Sequence, residues 1–82
     1  MFLEVITPDA KFFEGEVESV TLPGAKGSFQ VLNNHAPIIS ALGKGIMVIK
    51  TKDSEQRVAV EGGVAEVLDN KISVLAESLT EE

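Results

Sequence analysis

Apolar and polar residues alternate along almost the whole chain, at the period of a strand and not of a helix. Leu3 and Val5 share one face of a short run near the start, and Ile72, Val74 and Ala76 share one face near the end. Successive side chains of a strand point to opposite sides of a sheet, so these runs predict strands with one buried face. No long stretch repeats at the helical period, and turn formers recur roughly every 7 to 12 residues. The pattern predicts an all-β fold, a small antiparallel β-sandwich of two packed sheets with about ten short strands.

Taken in order, a first strand at residues 3–7 stops at Pro8-Asp9. Residues 11–22 read as one long strand whose apolar positions change parity, from Phe13 and Val17 to Val20 and Leu22. A switch of that kind needs a bulge or bend, at Gly15 or the Glu18-Ser19 step, and suits a strand shared between two sheets. Pro23-Gly24-Ala25-Lys26-Gly27 reads as a turn into a strand at residues 28–32. Asn33-Asn34-His35-Ala36-Pro37 then forms a loop, because proline lacks a ladder donor and pushes the residue before it towards extended geometry. A strand at residues 38–42, a second tight turn at Gly43-Lys44-Gly45 and a strand at residues 46–50 follow. Later hairpins flank Asp53-Ser54-Glu55 and Asp69-Asn70, while Gly62-Gly63 permits a turn or a close backbone approach. The domain is expected to cover residues 1–77, leaving an acidic, frayed tail at residues 78–82.

Size and charge narrow the classes of function. A chain of 82 residues is one domain, and by size scaling it buries only about 60 to 65% of the surface its unfolded form exposes. There is no cysteine to staple it, so apolar packing or a partner must hold it. The net charge is −6, and four phenylalanines without Trp, Tyr or a basic stripe make a poor platform for nucleic acid. Met1-Phe2-Leu3-Glu4 lacks the basic region and apolar core of a signal peptide, and no apolar run is long enough to cross a membrane as a helix. The chain is therefore expected to be soluble and unprocessed, meeting a membrane only through another protein.

Catalytic and ligand-binding constellations are equally sparse. Glu14, Glu16 and Glu18 recur at period two, a spacing that paired carboxylates for acid/base or metal chemistry would use. No second ligand set accompanies them, and they read as a solvated strand face. The glycine-flanked Lys26 and Lys44 do not meet the phosphate-loop pattern, and no helix is predicted that could supply its anion-binding terminus. His35 is the only histidine, no serine occupies a nucleophile elbow, and a thiol nucleophile is impossible. No enzyme activity, cofactor or metal site is expected. For His35 a turn-structuring role and a contact to a partner protein both stay open.

The stretch from Gly27 to Lys50, with its glycine-led strand, His-Ala-Pro loop, apolar strand and glycine-bounded link to another, resembles the epsilon subunit of F-type ATP synthase. Phe13-Glu14-Gly15 before it and Gly62-Gly63-Val64-Ala65-Glu66-Val67 after it extend the resemblance over nearly the whole chain. The resemblance implies a sandwich of two five-stranded sheets at the foot of a rotor, bound to the gamma subunit and to the polar loops of the membrane c-ring. It would help couple ion flow to ATP synthesis, as a peripheral component on the cytoplasmic side of the bacterial inner membrane. It places the ring-facing edge at Lys26, Gly27, Ser28, Phe29, His35, Ala36 and Ile39, and the gamma-facing surface near Gly62, Gly63, Val64 and Ala65. Two positions depart from the usual pattern: Ser28 stands where many members have glutamate, and Asn33-Asn34 where they have Pro-Gly. The chain also stops at Glu82, where a helical hairpin usually follows. A natural short form and a truncated piece of such a subunit both stay open, and in either case that hairpin's inhibitory and nucleotide-sensing roles are not expected of this chain.

Two rival readings come from other classes. A lipoyl or biotinyl carrier domain would present Lys26 at a hairpin tip, although Ala25 and Gly27 do not match the usual flanks of such a lysine. An unrelated β-sandwich adaptor for some other protein is the second.

Overall fold

In the computed structural model, residues 1–81 are described and every regular element among them is a strand. The strands are β1 (Phe2–Ile6), β2 (Lys11–Glu16), β3 (Ser19–Gly24), β4 (Gly27–Leu32), β5 (Ile38–Lys50), β6 (Glu55–Leu68), β7 (Lys71–Ala76) and β8 (Leu79–Glu81). They pair in the order β2-β1-β7-β6-β5-β3-β4, with β8 on β6. The two longest strands, β5 and β6, belong to both layers. One layer holds β2, β1, β7, the end of β6 and the start of β5; the other holds β4, β3, the end of β5, the start of β6 and β8. Eight strands thus supply the segments of two five-stranded sheets, because two of them are counted in each layer. One core lies between the layers, drawing Leu3 and Val5 from β1, Val20 and Leu22 from β3, Val58 and Val60 from β6, and Ile72 and Val74 from β7.

The crossing of β5 and β6 from layer to layer is the main departure from the sequence-based expectation. Gly43-Lys44-Gly45 is no turn; β5 runs through it and stays in one register with β6, from Ile38 opposite Val67 to Lys50 opposite Glu55. The buried positions nevertheless change parity there. In β5 the core residues are Leu42 before it and Met47 and Ile49 after it; in β6 they are Val58 and Val60 before Gly62-Gly63, and Ala65 and Val67 after. Both strands therefore rotate their buried face at the same level, which carries the pair around the corner of the sandwich. Gly63 shows why the corner needs glycine: its φ is +139°, and a Cβ there would lie 2.9 Å from the Cα of Ala76 and closer still to the carbonyl oxygen of Leu75. The close backbone approach expected at Gly62-Gly63 is present, but within a continuous strand.

Three further expectations change. The predicted long strand at residues 11–22 divides at Val17-Glu18 into β2 and β3, which lie towards opposite ends of the strand order. The link is tied to both layers, since Val17 N–H donates to the Met1 carbonyl and Glu18 N–H to the Lys50 carbonyl. The bulge within β2 falls at Phe12, left over between the pairs Val5–Phe13 and Ile6–Lys11, and so not at Gly15. It lets Phe12 and Phe13 both pack against the core. The sandwich is not wholly antiparallel, because β1 pairs parallel to β7 along Phe2–Lys71 to Ile6–Leu75. A parallel pair needs a long crossover, which almost the entire intervening chain supplies.

At the C-terminus, where fraying is expected, Leu79–Glu81 pair with Val58–Val60 and Leu79 packs on the core. Glu81 also accepts a hydrogen bond from the Gln56 side chain. The second hairpin turn is as read from its residues: Asp69 and Asn70 both adopt positive φ, 52° and 61°, the geometry that lets a two-residue loop follow the strand twist, whereas the turn expected at Asp53-Ser54-Glu55 lies at residues 51–54, with Glu55 opening β6.

Candidate functional site

Among the described residues no group of His, Asp and Glu is arranged to hold a metal ion. The strand-face carboxylates separate. Glu14 pairs with Lys11 at 3.1 Å, Glu16 with the N-terminal amine at 3.2 Å, and Glu18 lies in the link beyond β2. Lys11 also lies 3.4 Å from Glu4, and the hydrogen bond that Lys11 Nζ donates to the Glu14 carboxylate raises the lysine pKa above its ordinary value. These exposed pairs screen an edge strand.

The residues expected to contact a partner are distributed over two connected surfaces. The first is a groove of about 530 Å³ between the β3–β4 turn and the start of β5. Lys26, Gly27, Ser28 and Phe29 form one wall, and Ile38, Ile39, Ser40 and Ala41 form the other. The turn is held to β5 by a 2.9 Å hydrogen bond from Ala25 N–H to the Ala41 carbonyl. Lys26 is the only charged residue of the lining. It stands at a hairpin tip, as a carrier lysine would, but between the flanks that argue against that role.

His35 and Ala36 do not line this groove. They belong to the loop that leads into its Ile38–Ile39 wall, and that loop is braced from two directions. The His35 N–H donates to the Leu32 carbonyl at 3.2 Å, closing a turn in which Asn34 has φ 62°. The Asn34 N–H donates to Asn70 Oδ1 at 2.8 Å, joining the loop to the β6–β7 turn. The His35 ring is half-buried, with Nδ1 2.7 Å from the Ala36 carbonyl oxygen. Its backbone bond explains a structural role, and its partial exposure leaves the ring available to a neighbour.

The second surface is the outer face of the first layer. Ile6, Leu75, Val64 and Ala41 stand side by side on four neighbouring strands, because Ile6 is opposite Leu75, Leu75 opposite Val64, and Val64 opposite Ala41. Leu75 is 57% exposed, Val64 44% and Ile39, one step along the same face, 73%. Residues that sequence reasoning assigned to separate surfaces meet here, since Ile39 and Val64 line one shallow pocket with Glu66, Ser73 and Leu75. Of the expected gamma-facing set, Ala65 faces the core at 1% exposed and Gly62 is buried beneath Glu77, so only Val64 presents a large side chain outward. Ile6 and Leu75 were missed because a strand read alone does not reveal which of its two faces has a sheet against it.

The chain matches the ATP synthase delta/epsilon chain β-sandwich domain over residues 1–82. It belongs to that family. It is 40% identical over 75 residues to the ATP synthase epsilon chain of Leptospira borgpetersenii, covering 92% of this chain and 59% of that one. It is 46% identical over 74 residues to the epsilon chain of Pelotomaculum thermopropionicum, covering 90% of this chain and 55% of the relative. The chain thus spans little more than half the length of these relatives. The fold recurs in solved assemblies. A chain of the Euglena gracilis mitochondrial ATP synthase, resolved with OSCP, F1 and c-ring, superposes with a TM-score of 0.90 at 21% identity, covering 96% of this chain and 51% of that one. A chain of the Tetrahymena thermophila mitochondrial ATP synthase central stalk and c-ring superposes at 0.82 and 20% identity, covering 96% and 64%.

Proposed function

We propose that this domain is a non-catalytic central-stalk part of a rotary ATP synthase, binding the gamma subunit and the c-ring and helping to couple ion translocation to ATP synthesis. The observation that carries the reading is the row Ile6, Leu75, Val64 and Ala41, an apolar stripe across four hydrogen-bonded strands in a chain of this family. A contiguous apolar patch on a small acidic domain is a surface built to be covered. The gamma subunit is its occupant in this reading, with Val64 and Leu75 as anchors. The groove from Lys26 to Phe29 and Ile39, together with the His35-Ala36 loop, faces the polar loops of the c-ring. A continuous pair of strands running through both layers suits such a part, because torque passes along hydrogen-bonded backbone and not through a hinge. The complex would be peripheral, on the cytoplasmic side of a bacterial inner membrane, as for the relatives' bacterial setting.

The test is calorimetric titration of this chain with the gamma subunit from the same source, followed by co-purification with detergent-extracted ATP synthase. One-to-one binding that weakens when Val64 and Leu75 are both replaced by threonine is the expected result. Absence of binding with both proteins folded overturns the assignment and returns the domain to a general adaptor role.

A further inference from the structure

Asn70 is bonded to two parts of the chain that are distant from it in sequence. Its carbonyl accepts the Phe2 N–H at 3.1 Å, at the start of β1, and its side-chain Oδ1 accepts the Asn34 N–H at 2.8 Å. The next residue, Lys71, lies opposite Phe2 in the parallel ladder and holds its Nζ 5.9 Å from the centre of the Phe2 ring. The β6–β7 turn is thus fixed from the β1 side, and the Asn34 bond carries that support on to the loop before β5. Among the described residues, Asn70 is the only one outside residues 32–36 that hydrogen-bonds to Asn33, Asn34, His35 or Ala36. Little else orders that loop, since Asn33, Asn34 and Ala36 are exposed and Asn34 holds a left-handed φ of 62°. Hairpin chemistry does not account for asparagine at position 70. In a two-residue turn with both φ positive, glycine is favoured second, because it has no Cβ to strain there. Asn70 occupies that place at φ 61°, and what it adds over glycine is the acceptor that the loop uses.

We propose that Asn70 is a positioning residue for the His35-Ala36 loop: its side chain holds the loop in one conformation in the free domain, so that docking of the loop loses less conformational freedom. This rests on the reading that the loop meets the c-ring. Asn70 itself touches no partner in this role and acts through the Asn34 N–H alone. A loop ordered in advance binds more tightly than the same loop ordered on contact, because the entropy of ordering is already spent on folding. The Phe2 bond uses the Asn70 carbonyl, which every residue type retains, so the side chain can be changed without releasing β1.

The test compares wild type, Asn70→Gly and Asn70→Asp as whole ¹⁵N-labelled chains. Amide exchange of Asn34 and His35 and the thermal midpoint are read on the free domain, and affinity is read against purified c-ring from the same source in lipid nanodiscs. Glycine keeps the turn and removes the acceptor; aspartate keeps an acceptor oxygen, and Asp69 shows that it tolerates this backbone conformation. In Asn70→Gly the two amides should exchange about five-fold or more faster, with the midpoint unchanged or raised and ring affinity reduced about three-fold or more. Asn70→Asp should stay within about two-fold of wild type in exchange and affinity. Exchange at Asn34 and His35 unchanged in Asn70→Gly, or faster exchange with undiminished affinity, overturns the proposal. A lowered midpoint with faster exchange throughout the chain also overturns it, because Asn70 then supports the whole fold and positions nothing. A wild-type chain that binds the gamma subunit but not the ring overturns the ring-facing reading and this proposal with it, and is told apart from the other failures because it shows before any substitution is made.

Discussion

Along β6, Ala65 and Val67 lie on one face of the sheet and Val64 and Leu68 on the other, so neighbouring residues of similar chemistry have different surroundings. The inner pair is 1% and 2% exposed; Val64 and Leu68 are 44% and 49% exposed. Inside, apolar area stabilises the fold, because the second layer removes it from water. Outside, the same kind of area contributes little to the isolated domain and becomes useful only when a partner covers it. The contrast separates residues that hold the domain together from residues left free to meet a partner. Substitutions on the two faces should therefore register in different experiments.

The strongest way to break the contrast is at the corner where both faces rotate. Gly63→Ala forces a Cβ against the Leu75–Ala76 backbone at a left-handed φ, and should destabilise by on the order of 4 kcal/mol, read as a collapse of the denaturant midpoint. Next, Ile72→Ala removes a fully buried side chain of the inner face. It should cost about 2 to 5 kcal/mol, with the thermal midpoint falling by at least about 8 °C in a domain of this size. Replacing the outer Val64 and Leu75 together by threonine leaves β-branched, strand-compatible residues at both positions. Stability should then stay within about 1 kcal/mol while calorimetric affinity for the gamma subunit falls ten-fold or more, roughly 1.4 kcal/mol. A large loss of stability with unchanged affinity would erase the distinction between the faces.

Smaller effects sharpen it further. His35→Ala leaves the His35 N–H bond to Leu32 intact, so the midpoint should shift by no more than a few degrees, about 1 kcal/mol, while assembly onto the ring weakens. Lys11→Met removes the exposed pairs with Glu4 and Glu14 and should leave the midpoint at neutral pH almost unchanged. The sign of any residual pH effect follows from the raised Lys11 pKa. Its contribution is present at neutral pH and is lost only as pH rises through the folded-state value, above the ordinary lysine range. A wild-type-minus-mutant difference that grows towards acid within the neutral range would contradict this.

Local chemistry was legible where a residue can adopt few conformations. Asp69-Asn70 supplied a hairpin turn, and Pro37 marked the loop before β5. Strand period alone foretold an all-β sandwich, and motif order pointed to the family, because alternation and turn chemistry are properties of neighbouring residues. What neighbours could not reveal was continuity. Gly43-Lys44-Gly45 has the composition of a turn, yet in the folded chain β6 lies beside it and holds the strand straight through, so its glycines serve a rotation of the buried face instead. The same dependence on distant chain explains β8, which exists because the open edge of β6 offers Leu79–Glu81 a ladder. It explains the parallel β1–β7 pair as well, and the outward row of Ile6, Leu75, Val64 and Ala41, four residues far apart in sequence. Residue type and spacing determined that there would be strands, turns and one apolar face for each. Which face met a second layer, and which was left exposed, was decided by pairing between segments, since burial belongs to the assembled sheets and not to any strand by itself.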